Sequence, residues 1–202
     1  MKIIIVGASG KIGKEVNKAL SVNHETIQVG RNSGDIQCDY TDTNSVNEMF
    51  AKVGAFDALI AVIGGDGVFK QFDDLDDDDY KFGFERKFLS QIRFLKIGLN
   101  TVRENGSFIF TSGFLSHYPN PASIAIGPLN AAIDTFVKNT VPVLPRGIKL
   151  NIVSPAPVVD SGQEGHGLVT AAETAKFYVE AVEGGKTGQV LRAWGGFPIL
   201  QY

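Results

Sequence analysis

The feature that most constrains this chain is an apolar run at residues 3–6 that breaks into Gly7, Gly10 and Gly13. An apolar run of this length followed by a helical pattern predicts a buried strand that turns directly into a helix. Glycines permit the tight turn and let backbone N–H groups approach an anion, and the helix N-terminus adds partial positive charge. The segment therefore predicts a pyrophosphate-binding turn.

Strand and helix patterns alternate along the rest of the chain. Seven strands are predicted at 2–6, 25–29, 36–38, 58–63, 107–111, 148–153 and 189–193. Six helices are expected, including 11–21, 46–53, 82–103, 123–139 and 171–182. Such alternation is typical of an α/β fold, here a single doubly wound parallel sheet of Rossmann type with helices on both faces. We expect residues 1–202 to form one NAD(P)-binding domain, with its ligand at the carboxyl ends of the strands.

The composition excludes several classes of function. A net charge of −3 disfavours nucleic acid as a partner, and no apolar stretch approaches the ~20 residues that span a membrane. The single cysteine, Cys38, excludes an internal disulfide and suits a cytoplasmic protein. The three histidines lack zinc-ligand spacing, so no metal is expected. The acidic run 73–79 is interpreted as a solvated start to the long helix, favourable for the helix dipole.

The end of the second strand indicates which dinucleotide is bound. An acidic residue there would bind the ribose hydroxyls of NAD, whereas an arginine can pair with the 2′-phosphate of NADP. The sequence has no acid at this point and reads Gly30-Arg31-Asn32-Ser33. The planar guanidinium of Arg31 suits a phosphate, and its neighbours offer further donors. NADP is therefore preferred over NAD, the alternative being that Arg31 is a solvated loop residue.

Several motifs together resemble the short-chain dehydrogenase/reductase family over nearly the whole chain. The glycine turn is followed by 38–42, similar to the family's acidic motif, and by 61–64, which stands where the family has its Asn-Asn-Ala-Gly segment. The segment 145–155 closely resembles the sixth strand of the family. The resemblance implies these dinucleotide-binding residues: Gly7, Ser9, Gly10, Lys11, Ile12, Gly13, Arg31, Asn32, Ser33, Asp39, Tyr40, Ala61, Val62, Ile63, Gly64, Pro155, Ala156 and Val158.

The resemblance fails at the catalytic positions. In the family a tyrosine transfers the proton, a lysine four residues later lowers its pKa, a serine polarises the carbonyl, and an asparagine holds a relay water. Aligning the helix on Asn130 places Ile126 at the tyrosine and Asn130 itself at the lysine. The relay position falls near Ser90 or Gln91. Ser112 keeps the position of the serine.

A substitute proton donor is conceivable in the loop after Ser112. Tyr118 and His117 follow it by six and five residues, so either could serve, unless both are aromatic residues that only pack over the sheet edge. Lys138 lies about two helical turns beyond Asn130, too far to help. The segment 154–170, which corresponds to the substrate lid of the family, is short and contains three glycines, so we expect a small mobile lid.

Two functions stay open from the sequence. One is an NADP-dependent oxidoreductase acting on a small carbonyl or alcohol through a degenerate site with Ser112 and Tyr118. The other is a non-catalytic NADP-binding redox sensor or partner-binding protein on the same scaffold. A methyltransferase would leave the Arg31 loop unexplained. The apolar helices 82–103 and 123–139 correspond to the pair through which the family commonly dimerises, so a homodimer or tetramer is expected.

Overall fold

The computed structural model of the protein describes residues 1–64 and 67–198. Gly65, predicted to close the fourth strand with Gly64, lies outside the described residues. Seven parallel strands form one sheet in the order β3-β2-β1-β4-β5-β6-β9. Their bounds are β1 Lys2–Val6, β2 Glu25–Gly30, β3 Ile36–Gln37, β4 Phe56–Ala61, β5 Val102–Thr111, β6 Lys149–Pro155 and β9 Val190–Ala193.

Helices cover both faces of this sheet. They are α1 Lys11–Leu20, α2 Thr43–Val53, α3 Asp77–Gly83, α4 Ser90–Gly98, α5 Ile126–Thr140 and α6 Ala171–Glu183, and a π-helical segment, Phe84–Leu89, joins α3 to α4. Two short strands, β7 Val158–Val159 and β8 Val169–Thr170, pair separately. The predicted doubly wound Rossmann-type sheet is confirmed.

Strand order reverses at β1, which pairs with β2 on one side and β4 on the other. The chain runs from β1 outward to β2 and β3 and then crosses back through α2 to β4 on the other side of β1, so a crevice opens at the carboxyl ends of β1 and β4. This crevice is where the glycine turn lies, and the topology therefore positions the predicted site.

Side chains of β1 alternate between two separate cores. Ile3 and Ile5 pack with the layer of α1 and α6, and Ile4 and Val6 pack with the layer of α2, α4 and α5. All four are fully buried, and each such side chain stabilises the fold by about 2 kcal/mol. A continuous apolar strand is what a sheet covered on both faces requires.

The long helix differs from the predicted range 82–103 at both ends. It begins at Asp77 because Asp76 caps it, accepting hydrogen bonds from the N–H groups of Asp78 and Asp79. It ends at Gly98, and β5 starts at Val102 rather than Ser107. The acidic run does lie at the start of this helix, as predicted.

The second helix of the predicted dimer pair is also displaced. The range 123–139 becomes Ile126–Thr140, because Ser123 forms a turn in which its N–H and its hydroxyl both donate to the Asn120 carbonyl.

Within the described residues, no helix combines the length and the apolar character needed to cross a membrane.

Candidate dinucleotide pocket and catalytic cluster

The glycine turn packs too tightly to accept a side chain at two of its positions. Gly7 has a φ of +81°, and a Cβ there would lie 2.3 Å from the Val62 carbonyl oxygen. A Cβ on Gly13 would lie 2.1 Å from the Gly7 carbonyl oxygen. In the described chain no side chain caps the first N–H groups of α1, so these donors face the crevice. An anion such as a pyrophosphate fits this helix end.

The turn, the end of β2 and the end of β4 enclose one pocket, called here the glycine-turn pocket, of about 270 Å³. Its lining contains ten of the predicted dinucleotide residues, together with Gly30: Gly7, Ser9, Gly10, Arg31, Asn32, Ser33, Tyr40, Val62, Ile63 and Gly64. The structure therefore brings together three predicted segments that are distant in sequence. A larger cavity of 650 Å³ between α6 and β9 contains none of the predicted dinucleotide residues.

Arg31 forms the basic wall of the glycine-turn pocket. Its guanidinium carbon lies 5.5 Å from the centroid of the Tyr40 ring. The nearest acid after β2, Asp35, is turned away, since its carboxylate accepts a hydrogen bond from the Gln28 N–H at 2.8 Å. Among the described residues that line the pocket there is no carboxylate, so none is placed to bind the ribose hydroxyls at this wall.

Asp39, one of the predicted dinucleotide-binding residues, lies next to the pocket wall in an exposed turn. One carboxylate oxygen accepts from the N–H and hydroxyl of Thr41, at 3.0 and 2.7 Å, and these hydrogen bonds hold the pKa of Asp39 below its usual value. The adjacent Tyr40 is buried and lines the pocket itself. Cys38 is also buried, and burial raises the pKa of its thiol.

The predicted residues after β4 and β6 lie at the same edge of the sheet. Val62 donates its N–H to the Val6 carbonyl, and Ala156 donates its N–H to the Ala193 carbonyl. Val158 belongs to β7, so the predicted mobile lid is partly tied down by the β7–β8 pair. Lys11, at the start of α1, reaches the lid residue Asp160 at 3.4 Å in an exposed ion pair.

Ser112 lies directly after β5 and is fully buried. Its backbone carbonyl accepts a hydrogen bond from Lys87 at 2.8 Å, and the same ammonium donates to the Asn130 side-chain oxygen at 2.7 Å. A lysine from the long helix therefore contacts Asn130, the residue predicted at the family's lysine position. Ile126, the residue predicted at the family's tyrosine position, is buried and apolar.

Lys87 owes its direction to the π-helical segment. A π turn adds a residue to the helix repeat and reorients the side chains that follow, and such turns are frequent at functional sites. Lys87 is 5% exposed. Burial lowers its pKa to about 8, whereas the carboxylate of Asp134 acts in the opposite direction.

Asp134 lies one turn beyond Asn130 on α5 and joins this group. Burial raises the pKa of Asp134, while Ser112, His117, Ser116 and Arg192 lower it. Its second oxygen accepts from the Ser116 hydroxyl at 3.4 Å. Lys87, Ser112, Asn130 and Asp134 are called here the buried polar cluster.

The two predicted substitute donors stand in different surroundings. Tyr118 stacks on Phe114 with centroids 4.3 Å apart, contacts Trp194, and donates its hydroxyl hydrogen to the Pro198 carbonyl. His117 also contacts Trp194, at 5.1 Å between ring centroids, and it lines a groove next to Asp134. The structure thus places Tyr118 in an aromatic cluster and His117 beside the buried polar cluster.

The family's relay position was predicted near Ser90 or Gln91, where the chain has no asparagine. Gln91 is fully buried and binds both the N–H and the carbonyl of Thr111, at 2.7 and 3.1 Å, while the Ser90 hydroxyl donates to the Arg86 carbonyl. Both side chains support the helix and β5. Lys87 and Asp134 were not predicted from the sequence. The sequence does contain two signals for them, a charged residue inside an apolar helix and the pair Asn130 and Asp134 four residues apart.

Comparisons with known proteins agree with this architecture. A family model described as enoyl-(acyl carrier protein) reductase matches residues 8–188. The crystal structure of the protein lin1944 from Listeria innocua is 30% identical, with 96% of this chain and 100% of that chain covered and a TM-score of 0.90. A small-chain dehydrogenase in complex with NADPH is 25% identical, with 97% of each chain covered and a TM-score of 0.86. No curated protein matches the sequence significantly.

The match over residues 8–188 and the shared fold define the class. The chain belongs to the short-chain dehydrogenase/reductase family, as its motifs predicted.

Proposed function

We propose that this protein is an NADP(H)-dependent oxidoreductase that acts on a small carbonyl or alcohol with an altered catalytic site. The observation that carries the proposal is the glycine-turn pocket, in which Arg31, Asn32 and Ser33 form a wall without a carboxylate in the described residues. The NADPH complex of the related small-chain dehydrogenase supports the same choice of nucleotide.

Each part of the pocket has a role in this proposal. The N–H groups at the start of α1 hold the pyrophosphate, and Arg31 pairs with the 2′-phosphate. Bound NADPH supplies a hydride. Ser112 donates a hydrogen bond to the substrate oxygen, which requires the loop after β5 to move because Ser112 is 1% exposed.

A titration of NADPH and NADH fluorescence tests the choice of nucleotide. Replacing Arg31 with Ala should weaken NADPH binding by about 10- to 100-fold, because a charge-assisted phosphate contact is lost, and should leave NADH binding unchanged. Arg103→Ala is the matched control, since Arg103 pairs with Asp57 at 3.0 Å at the opposite ends of the strands. Equal NADPH affinities for wild type and Arg31→Ala would refute the role of Arg31.

A second function is favoured by Ile126 and by the burial of Ser112. An isoleucine at the predicted tyrosine position and a covered serine suit a non-catalytic NADP-binding sensor or partner-binding protein. This alternative predicts tight NADPH binding with no NADPH oxidation in the presence of a panel of small aldehydes and ketones. Measurable oxidation that depends on Ser112 would exclude it.

We also propose that the protein is cytoplasmic and forms a homodimer through the long helix and α5. Phe82 and Leu89 on the long helix are 42% and 41% exposed, which leaves an apolar face for an isologous contact. Sedimentation equilibrium at micromolar concentration should give twice the chain mass or more. A monomer would contradict this assembly.

A further inference from the structure

Three buried polar atoms around Asp134 have no hydrogen-bond partner of normal geometry among the described residues. They are Ser112 Oγ, Asp134 Oδ1 and Arg192 Nε. Leaving such an atom without any partner costs about 1–3 kcal/mol, so three of them in one place point to bound water or to a role in proton transfer. The Ser112 hydroxyl approaches the Asp134 carboxyl closely enough to lower its pKa.

A groove of about 430 Å³ connects this group with the protein surface. It runs beside α5 and the edge strand β9, and its polar lining consists of Ser116, His117, Asp134, Thr135, Lys138 and Arg192. Asp134 therefore has Ser112 on its buried side and His117 on its groove side. A carboxyl in this position can pass a proton between a buried hydroxyl and water.

We propose that the Ser112 hydroxyl and the Asp134 carboxyl form the proton route of this site, with His117 linking Asp134 to solvent in the groove. The inference rests on the proposed oxidoreductase function. It replaces the missing tyrosine and lysine with residues that the chain does contain. Asp134 acts through Ser112 and is thus a positioning residue, whereas Ser112 contacts the substrate oxygen.

The step balances as a carbonyl reduction. The carbonyl carbon accepts a hydride from the reduced nicotinamide dinucleotide, and the carbonyl oxygen takes the proton of the Ser112 hydroxyl as the C=O double bond becomes a single bond. Ser112 takes a proton from the Asp134 carboxyl, which becomes a carboxylate. Asp134 then regains a proton from water through His117.

The charges facing Asp134 come from every neighbouring element. Lys87 approaches from the long helix, His117 from the loop after β5, Arg192 from β9, and Lys138 lines the groove from α5. Burial favours the protonated carboxyl and the facing cations favour the carboxylate. Both protonation states are therefore supported in one place, as a proton relay requires.

The first test needs no substrate. The full chain is labelled with ¹³C-aspartate, and the carboxyl signals are followed by NMR from about pH 4 to pH 9, with Asp134→Asn to assign the signal. Asp134 should titrate at higher pH than the other aspartates, and Ser112→Ala should raise its pKa further by removing a donor to the carboxylate. An Asp134 that titrates with the exposed aspartates, or is unmoved by Ser112→Ala, overturns the relay.

The second test separates this inference from the proposed function. Single-turnover NADPH oxidation is measured against a panel of small aldehydes and ketones, with NADPH binding followed by fluorescence in the same samples. Asp134→Asn should bind NADPH as wild type does, yet oxidise it at least tenfold more slowly and lose the pH dependence of the rate. Equal rates for Asp134→Asn and wild type overturn the relay, whereas a wild-type protein that binds NADPH and reduces nothing overturns the proposed function.

Discussion

The glycine-turn pocket and the buried polar cluster lie at the same edge of the sheet but are built differently. The pocket is made of short continuous segments, such as the turn between β1 and α1 and the loop that begins at Arg31. The cluster is made of side chains that the long helix, β5 and α5 bring together, with Lys87 and Asn130 separated by 43 residues. Local sequence rules therefore predict the pocket far better than the cluster.

The difference also concerns what each region tolerates. The pocket depends on the absence of side chains, because a Cβ at Gly13 would meet backbone atoms. The cluster depends on the balance of buried charge between Lys87 and Asp134. Substitutions should thus affect the pocket through sterics and the cluster through pH.

The largest expected effect breaks the pocket. Gly13→Ala places a methyl group 2.1 Å from the Gly7 carbonyl oxygen, so the backbone must shift, at a cost of about 3 kcal/mol. NADPH affinity should also fall, because the same backbone shift moves the N–H groups of the glycine turn. Urea unfolding measures the first effect and a fluorescence titration the second.

Gly10→Ala is the matched control in the same turn. Gly10 has a φ of −72°, and its nearest backbone contact would be at 3.3 Å, so the variant should lose less than about 1 kcal/mol. Similar losses for the two variants would show that the packing at Gly13 does not control the turn.

The next effect is the pH dependence of stability that the buried Lys87 of the cluster should cause. The pKa of Lys87 falls from 10.5 to about 8 on folding, because burial disfavours the charged ammonium. The resulting loss of folding stability is complete below pH 8, where the buried amine is charged, and disappears above pH 10.5, where the amine is neutral in both states. The free energy of unfolding of the wild type, relative to Lys87→Met, should therefore increase by about 2 kcal/mol between pH 7.5 and pH 10. Urea unfolding at both pH values measures this difference. Parallel pH profiles would contradict the assignment of a buried ammonium.

A smaller effect is expected at Tyr178, which stabilises the fold behind the pocket without contacting the nucleotide. The Tyr178 hydroxyl lies 2.7 Å from Thr111 Oγ1, which also donates to the Ala61 carbonyl. Tyr178→Phe should cost about 1 kcal/mol and leave NADPH affinity unchanged, because the bond lies on the α6 face. Thermal unfolding against Tyr80→Phe, a half-buried tyrosine of α3, provides the control. A loss of nucleotide affinity in Tyr178→Phe would mean that the two regions are coupled.

The smallest effect is expected at Lys11 and shows whether this residue contacts the pyrophosphate or, like Arg31, the 2′-phosphate. The Lys11–Asp160 ion pair is exposed, so Lys11→Ala should change stability by less than about 0.5 kcal/mol. If Lys11 contacts the pyrophosphate, NADPH and NADH should lose affinity equally, by a few-fold. A loss for NADPH alone would instead place Lys11 near the 2′-phosphate.

The sequence predicted most of the fold and the pocket because their signals are local. Apolar residues 3–6, the glycine spacing and the missing acid after β2 are all read within short windows. The end of the long helix was predicted wrongly because Leu99 and Val102 continue its apolar spacing, although Val102 already belongs to β5. Helical periodicity alone cannot show where Gly98 ends the helix.

The buried polar cluster was not predicted from the sequence, because its contacts depend on tertiary packing. The resemblance to the family placed the relay position near Ser90 or Gln91, whereas it is Lys87, within the π-helical segment, that contacts Ser112 and Asn130. A lysine in a helix is usually solvated, so its burial depends on tertiary packing. The contact between this lysine of the long helix and Asn130 of α5 becomes visible only in the folded chain.

The most direct test of the central claim, a retained nucleotide pocket beside a rebuilt catalytic cluster, is one fluorescence and absorbance experiment on the wild-type protein. NADPH is titrated in first, and small aldehydes and ketones are then added to the same sample while absorbance at the NADPH band is followed. The account predicts saturable NADPH binding followed by slow oxidation. A protein that binds neither NADPH nor NADH would contradict it.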